Sequence, residues 1–442
     1  MALTKTTRTF LKVLKYLLYS ILVVVLLLLV VALAVPVWRN LVTYPKLEKE
    51  IAEFQKLRKK THKTTQLNTY RGVMHVHSFW SHDSEGKLSD LIPAAKKNGI
   101  DFIFLTDHPH GNIDSFPRGY NDFYDDVLIL PGSEKQGFAA WPLQDSVVID
   151  WSIDKDSVLK NIVKNGGIVF YAHTEEPHNW DNPWYHGMEI YNFHTDTKDE
   201  KLAPNILNFI VNGKKYRIWA LRQMFDTQTP ILALWDSLNT QRKIVGYSAV
   251  DTHENQNFRA RYLNDGRVEW IGPNANPIDT VQVNFRNKWL FHEQDSSGWI
   301  FKFMIDTYME GFDYITNYVF AESLTVESLA HHIKQGHLYT AFKSLGDASG
   351  FNYFAKNQNG NTKAIPGDSL AINELNSLHA VSPLPGQFRL ILDGETINIS
   401  DIDKYEYTFT NLNDKGAYRI EVQINLNGKY VPWIYSNPIY IY

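Results

Sequence analysis

The sequence contains no cysteine. That excludes a disulfide scaffold, a zinc ribbon and any thiol nucleophile, so a metal here must be held by nitrogen and oxygen. An excess of basic charge is also missing. The first forty residues carry five Lys/Arg and no acid, leaving 39 basic against 48 acidic residues, a net −9, for the remainder. This balance excludes a general polyanion-coating protein. No internal repeat or low-complexity stretch is visible beyond one N-terminal apolar run. Hydrophobic residues at 44% and aromatics at 14% exclude wholesale disorder. At 442 residues the chain is too long for one compact domain, and two or three folded units are expected.

The apolar run extends from Tyr16 to Trp38, 23 residues without a charge. At about 1.5 Å per residue it spans a hydrocarbon core of about 30 Å. Lys5, Arg8, Lys12 and Lys15 precede it, so the expected arrangement is a basic cytoplasmic tail (1–15), a single-pass anchor (16–38) and a body on the extracytoplasmic side. The rival reading is a cleaved signal peptide ending near Ala32-Leu33-Ala34, but a cleavable apolar region is usually about 7–15 residues. Residues 39–68 read as a linker, with a solvated helical stalk from about Pro45 to Gln66. At the far end, Tyr418, Ile420, Val422, Ile424 and Leu426 alternate with polar residues, and Phe388, Leu390 and Leu392 repeat the pattern. Period two and frequent Pro, Asn and Gly turns predict a small antiparallel β-sandwich over 346–442. Thr325 to Gly336 reads as a capped helix closing the preceding domain.

Between these ends, strand-like and helix-like segments alternate. Strands are expected at Arg71–His77, Asp101–Asp107, Val127–Leu130, Ile168–Ala172, Met188–Tyr191 and Lys243–Val250. Helices are expected at Leu88–Asn98, at Lys155–Lys164 and through much of Lys201–Gln241. Repeated β-α units indicate a parallel sheet or barrel, in which carboxyl ends of strands converge on one rim. The polar residues fall there. His75 and His77 end the first strand, Asp107 and His108 the second, and Glu134 follows the third. His173 ends the fourth, His194 follows the fifth, and Asp251 and His253 end the last. Ten of the sixteen histidines lie between His75 and His253. Each motif alone is weak, but ligand-type residues at six strand ends suit a borderline divalent ion such as Zn²⁺, Mn²⁺ or Fe²⁺.

Met74-His75-Val76-His77-Ser78, Ser81-His82-Asp83, Leu105-Thr106-Asp107-His108, Gly132-Ser133-Glu134, Ala172-His173 and Asp251-Thr252-His253 resemble the ordered motifs of the PHP (polymerase and histidinol phosphatase) superfamily. The resemblance covers about Tyr70 to Phe342. The segments Gly336–Phe342 and Trp433–Tyr440 resemble the branch with carbaryl-hydrolase-like metallohydrolases, in which a β-sandwich follows the catalytic domain. The resemblance implies an α/β fold: a distorted (β/α)7 PHP-type barrel over 69–345, preceded by the transmembrane helix and followed by the sandwich. It also implies two or three divalent ions (Mn, Zn or Fe). By motif, His75, His77, Glu134 and Asp251 hold the first. Glu134 bridges to a second, completed by His173 and His194. His108, His253 and one residue of the Ser81-His82-Asp83 stretch hold the third, with His82 favoured on position over Asp83.

The function implied is hydrolysis of a phosphate ester by a membrane-anchored, outward-facing enzyme. Asp107 is expected to orient a histidine. His110, His178 and Arg118 are candidates for the leaving-group acid, and Arg259 for a phosphate clamp. The aromatic stretches Phe138–Pro142 and Trp180–Tyr185 offer a wall for the substrate pocket. The expected substrate is a small-molecule or envelope-derived phosphoester, with no nucleic-acid binding as a primary role. Two other readings use the same residues. One is a carboxylic or carbamate ester hydrolase; the other is a catalytically silent, metal-stabilised binding module.

Overall fold

The computed structural model describes residues 5–109, 119–142, 149–197, 202–254, 257–272, 276–295, 298–304, 307–401 and 404–442. The chain divides into two units, residues 1–52 with 199–225, and residues 53–198 with 226–442.

In the smaller unit, helix α1 (Lys5–Trp38) is long and apolar enough to cross a membrane, and its most apolar stretch is almost wholly exposed. Pro36 removes one intrahelical donor. The helix then runs through a π-helical turn, Arg39–Thr43, into α2 (Tyr44–Gln55). Further along the sequence, α5 (Leu202–Asn212) packs back on this foot and α6 (Arg217–Arg222) packs on α5. Asn212 donates to Pro36 O at 3.1 Å, Asn40 donates to Asn212 Oδ1 at 2.9 Å, and the buried Tyr44 hydroxyl bonds Asn208. The helical stalk expected to reach Gln66 ends instead at Gln55. The segment beyond it is held by long-range bonds, Lys59 N to Pro383 O at 2.9 Å and Thr61 to Gly350 O at 2.7 Å.

The larger unit is a mixed α/β sheet. Its strands are β1 (Asn68–Val76), β2 (Phe102–Leu105), β3 (Asp122–Tyr124), β4 (Val127–Leu130), β5 (Ser133–Lys135), β6 (Phe138–Trp141), β7 (Ile168–Tyr171), β8 (Gly187–Asn192) and β9 (Val245–Thr252). Helices α3 (Leu88–Asn98), α4 (Lys155–Lys164) and α7 (Thr229–Asn239) alternate with them. The pairs β1–β2, β2–β4, β7–β8, β8–β9 and β9–β1 are parallel. β3–β4, β5–β6 and β6–β7 are antiparallel. Strands β2, β4, β7, β8 and β9 are buried along their whole length, as expected when both faces of a parallel sheet are covered. Their apolar side chains, with Trp141 and Tyr247, form the core.

Several local signals act as read. Helix α3 stops at Gly99, whose φ of 63° suits a residue without a Cβ. The Asp154 and Thr325 side chains cap α4 and α9 (Val326–Gln335). A four-stranded antiparallel sheet was not anticipated. Strands β10 (Asn257–Tyr262), β11 (Val268–Ile271), β12 (Pro277–Val281) and β13 (Phe301–Met304) lie between β9 and helix α8 (Tyr308–Tyr314), in the order β12-β11-β10-β13. The chain then returns through β14 (Thr316–Ala321), α9 and β15 (Leu338–Ala341). β14 pairs antiparallel with β1.

The C-terminal residues are mainly antiparallel β-structure built on the long strand Ser377–Leu392, with Ser369–Leu370 pairing parallel to Ile439–Ile441. They join the mixed α/β sheet directly, because β15 pairs with Lys429–Ser436. Trp433 is fully buried, with its indole N–H on Gly346 O at 2.9 Å, and so is a core residue.

Candidate metal centre

The parallel strands bring their carboxyl ends to one side, and this positions the polar residues. β1 bulges at its end, where its register to both β2 and β9 shifts between Met74 and Val76. His75 sits at the bulge with φ of 62°. His173 and Asp251, at the ends of β7 and β9, also have left-handed backbones, with φ of 50° and 48°. Three non-glycine residues in this sparsely populated region mark a locally strained site, in which the backbone re-aims side chains inward.

The side chains converge around Glu134. One carboxylate oxygen lies 2.8 Å from His75 Nε2 and 3.3 Å from His77 Nε2, and the other 3.0 Å from His173 Nε2. Asp251 Oδ1 is 3.3 Å from His75 Nε2 and 3.4 Å from His77 Nε2, while Oδ2 is 3.8 Å from His173 Nε2. A second cluster adjoins the first. Asp83 Oδ2 lies 3.4 Å from the Nε2 atoms of both His108 and His253, and the His253 ring stacks on His77 at 4.1 Å. The potential ligand sets are His75, Glu134 and His173; His75, His77 and Asp251; and His77, Asp83, His108 and His253.

The donor set fits divalent ions. His77 Nε2 is fully buried and makes no hydrogen bond among the described residues, although it faces two carboxylates. A buried nitrogen left without a bond is costly. The histidine nitrogens 3.3 to 3.8 Å from the Asp251 and Asp83 oxygens are spaced as neighbouring ligands around one ion, each about 2.1 Å from it. Burial opposes protonation of His75, but Asp251, Glu134 and Glu189 outweigh it and hold its pKa well above the usual range. Burial likewise fails to neutralise Glu134 and Asp251. The charge of His75 and the neighbouring histidines hold both well below the usual carboxylate range. These anions are paired with protons that a cation would displace.

The other expected residues take different places. Of the two neighbours Asp83 and His82, the geometry favours Asp83. His82 is exposed and meets the clusters through its ring, 5.3 Å from that of His108. The His194 ring lies 5.6 Å from His253. Asp107 is pushed up to about 6 by burial and binds Ser78, accepting from its N–H at 2.5 Å and its hydroxyl at 2.8 Å. It thereby fixes the turn after His77. His178 points its Nε2 at His173 O, 3.1 Å away, and stacks on Tyr171 at 4.5 Å, which steadies the His173 backbone. Arg259 is fully buried, paired with Glu85 and packed on the Trp299 ring at 4.7 Å. His110 and Arg118 lie outside the described residues. The Phe138–Trp141 stretch is core rather than pocket wall, with the Trp141 indole N–H on Leu105 O at 2.7 Å. Trp180 and Tyr185 pack around Tyr171 and His178.

Sequence reasoning missed Glu189. It accepts from His75 Nδ1 at 2.5 Å, from the Tyr247 hydroxyl at 2.9 Å, and from the His173 backbone N–H at 2.8 Å. It thus sets which His75 nitrogen faces Glu134 and ties two ligand strands together. An acid inside the fully buried strand Gly187–Asn192 was the available signal.

A family model described as PHP domain matches residues 74–132. No curated protein matches the chain. Among solved structures, it is similar to a two-domain protein from Bacteroides vulgatus containing a predicted PHP-like metal-dependent phosphoesterase. The identity is 12%, over 86% of this chain and 98% of that one, with a TM-score of 0.35. That likeness is too loose to carry an argument. Nothing in these comparisons singles out the carbaryl-hydrolase-like branch.

Proposed function

We propose that the chain is a metal-dependent phosphoesterase of the PHP superfamily carried on a membrane anchor, a reading supported by the match of residues 74–132 to the PHP domain. The observation that carries the proposal is the buried His77 Nε2, unbonded and facing the Glu134 and Asp251 carboxylates within a larger ring of histidines. His75, His77, Glu134, His173 and Asp251 would hold one or two ions, and Asp83, His108 and His253 another. Bound divalent ions supply Lewis acidity toward a phosphoryl oxygen and lower the pKa of water. The protein's own part is to keep the donors in place. Glu189 aims His75, Asp107 holds the turn after His77, and Glu175 and Thr195 contact His173 Nδ1 at 3.6 and 3.2 Å.

We place the body on the extracytoplasmic side of a membrane. Support comes from the exposed, apolar α1 and from the basic residues that precede its charge-free stretch. The substrate is a small-molecule or envelope-derived phosphoester.

The test is nitrophenol release by full-length protein in detergent with Mn²⁺ or Zn²⁺. A phosphomonoester, a phosphodiester and a carboxylic ester are compared, with Asp251→Asn as control. Turnover of a phosphate ester that falls by more than about a hundredfold in Asp251→Asn supports the reading. Turnover of the carboxylic ester alone overturns it in favour of carboxylic ester hydrolysis. No turnover in protein shown to hold metal makes the chain a binding module.

A further inference from the structure

Within the smaller unit, helix α5 returns to the anchor at a height fixed by side-chain bonds. The Tyr44 hydroxyl bonds Asn208, whereas Asn212 donates to Pro36 O at 3.1 Å and accepts from Asn40 at 2.9 Å. Residue numbers rise along α5 as those of its partners fall, so α5 runs down the foot toward the anchor. It ends level with Pro36 and Asn40, which bracket Trp38, the last residue of the charge-free stretch. Asn208 and Asn212 are fully buried, so breaking these bonds would strand polar groups. The chain then turns back. Gly213 N donates to Phe209 O and Tyr216 N to Asn212 O, both at 2.7 Å, and the Tyr216 ring packs on Tyr44 at 5.7 Å. Lys214 and Lys215, both exposed, occupy the tip of this turn.

The surface around the tip suits a bilayer boundary. Ile210, in the last turn of α5, is 63% exposed, and Leu41 on the foot is 70% exposed. Apolar surface therefore continues from the anchor past Trp38 and onto a second helix. The charges beside it have one sign. No acid occurs before Glu48 or between Lys201 and Phe225, whereas Arg39, Lys214, Lys215 and Arg217 all fall there. An exposed aliphatic residue next to a cluster of cations, at the level of an interfacial tryptophan, is the pattern that acyl chains and anionic headgroups match.

We propose that the α5–α6 turn is a second membrane contact. Ile210 enters the acyl boundary beside the anchor, and Lys214 and Lys215 bind the phosphate groups of anionic phospholipids. A lipid surface fits better than a protein partner because the apolar surface is continuous with the anchor and the cations lie where the headgroups begin. This contact rests on the anchor reading and is independent of the chemistry at the metal centre.

The absence of cysteine makes the test direct. Full-length protein carrying one nitroxide label, at Val25→Cys, Ile210→Cys or Lys49→Cys, is reconstituted into phosphatidylcholine–phosphatidylglycerol vesicles. Lys49 is a control about 16 Å beyond Trp38 along the helix. Val25 should be open to oxygen and closed to an aqueous nickel chelate, and Lys49 the reverse. Ile210 should be open to oxygen and several-fold less open to nickel than Lys49. In parallel, spin-labelled phosphatidylglycerol should associate with the unlabelled protein in preference to phosphatidylcholine. The double variant Lys214→Gln/Lys215→Gln should lower that preference at least about twofold, well within the about fivefold that each interfacial lysine can supply. Lys214→Arg/Lys215→Arg should retain it. Nickel access at Ile210 equal to that at Lys49, with Val25 shielded, overturns the contact and leaves the anchor standing. A label at Ile210 closed to both reagents reports a protein on this surface and also overturns it. Nickel access at Val25 overturns the anchor and this contact together. A lipid preference that the glutamine variant leaves unchanged overturns the headgroup assignment.

Discussion

Glu189 shows how far single residues can be read. The histidines and acids at strand ends declare themselves because few other roles suit them in that position. Glu189 lies inside a buried strand, where only the tertiary fold reveals that it contacts His75, the His173 backbone and Tyr247. Its carboxylate orients a ligand rather than binding a metal in any of the clusters. Glu189→Gln should therefore lower metal affinity by about 10–100-fold while leaving the fold intact. Competition with a chromogenic chelator measures the first, and circular dichroism checks the second. Unchanged affinity would show that His75 needs no such partner. The neighbours His82 and Asp83 make the same point. Position in the motif favoured His82, yet the turn directs the Asp83 carboxylate between His108 and His253.

At the scale of elements, boundaries set by local chemistry were legible. The α4 and α9 caps and the Gly99 stop all lie within a few residues of what they control. The β10–β13 sheet escaped notice because its strands are short and partly exposed, so period two is weak. The β7–β8 junction carries a testable pH dependence. His186 donates its N–H to Val169 O and accepts from Val169 N at its ring Nδ1, 3.3 Å away. Burial, with Lys334 nearby, depresses its pKa from 6.5 to about 4. Between those values the unfolded chain takes up a proton that the folded chain refuses, so stability falls as pH falls. The loss is at most about 3 kcal/mol. His186→Gln, whose side-chain carbonyl can still accept from Val169, should remove this contribution. Urea midpoints at pH 7.5 and pH 5 should converge in the variant relative to the wild type.

At the scale of the whole molecule, the smaller unit joins distant parts of the sequence. α5 packs on the foot of α1 through Asn40, Tyr44 and Pro36, and α6 packs on α5. Removing residues 1–34 should leave that foot intact. Removing residues 1–52 takes away the fully buried Tyr44 and the partners of Asn208 and Asn212. Limited proteolysis should then cut the 202–225 segment at least about tenfold faster than in the shorter truncation. Equal cleavage rates would show that α5 and α6 need no support from this foot.

The sequence by itself determined which chemistry is available and in what order along the chain. Without cysteine, and with histidines and carboxylates at six strand ends, only nitrogen and oxygen ligation remained, and the strand-end pattern follows from local β-α alternation. Tertiary structure decided which of those groups meet. Convergence on Glu134, the choice of Asp83, the part played by Glu189, and Arg259 beneath Trp299 all depend on contacts between segments distant in sequence. No local periodicity encodes such contacts, because side chains approach only after the sheet has set strand order, register and the bulge at His75.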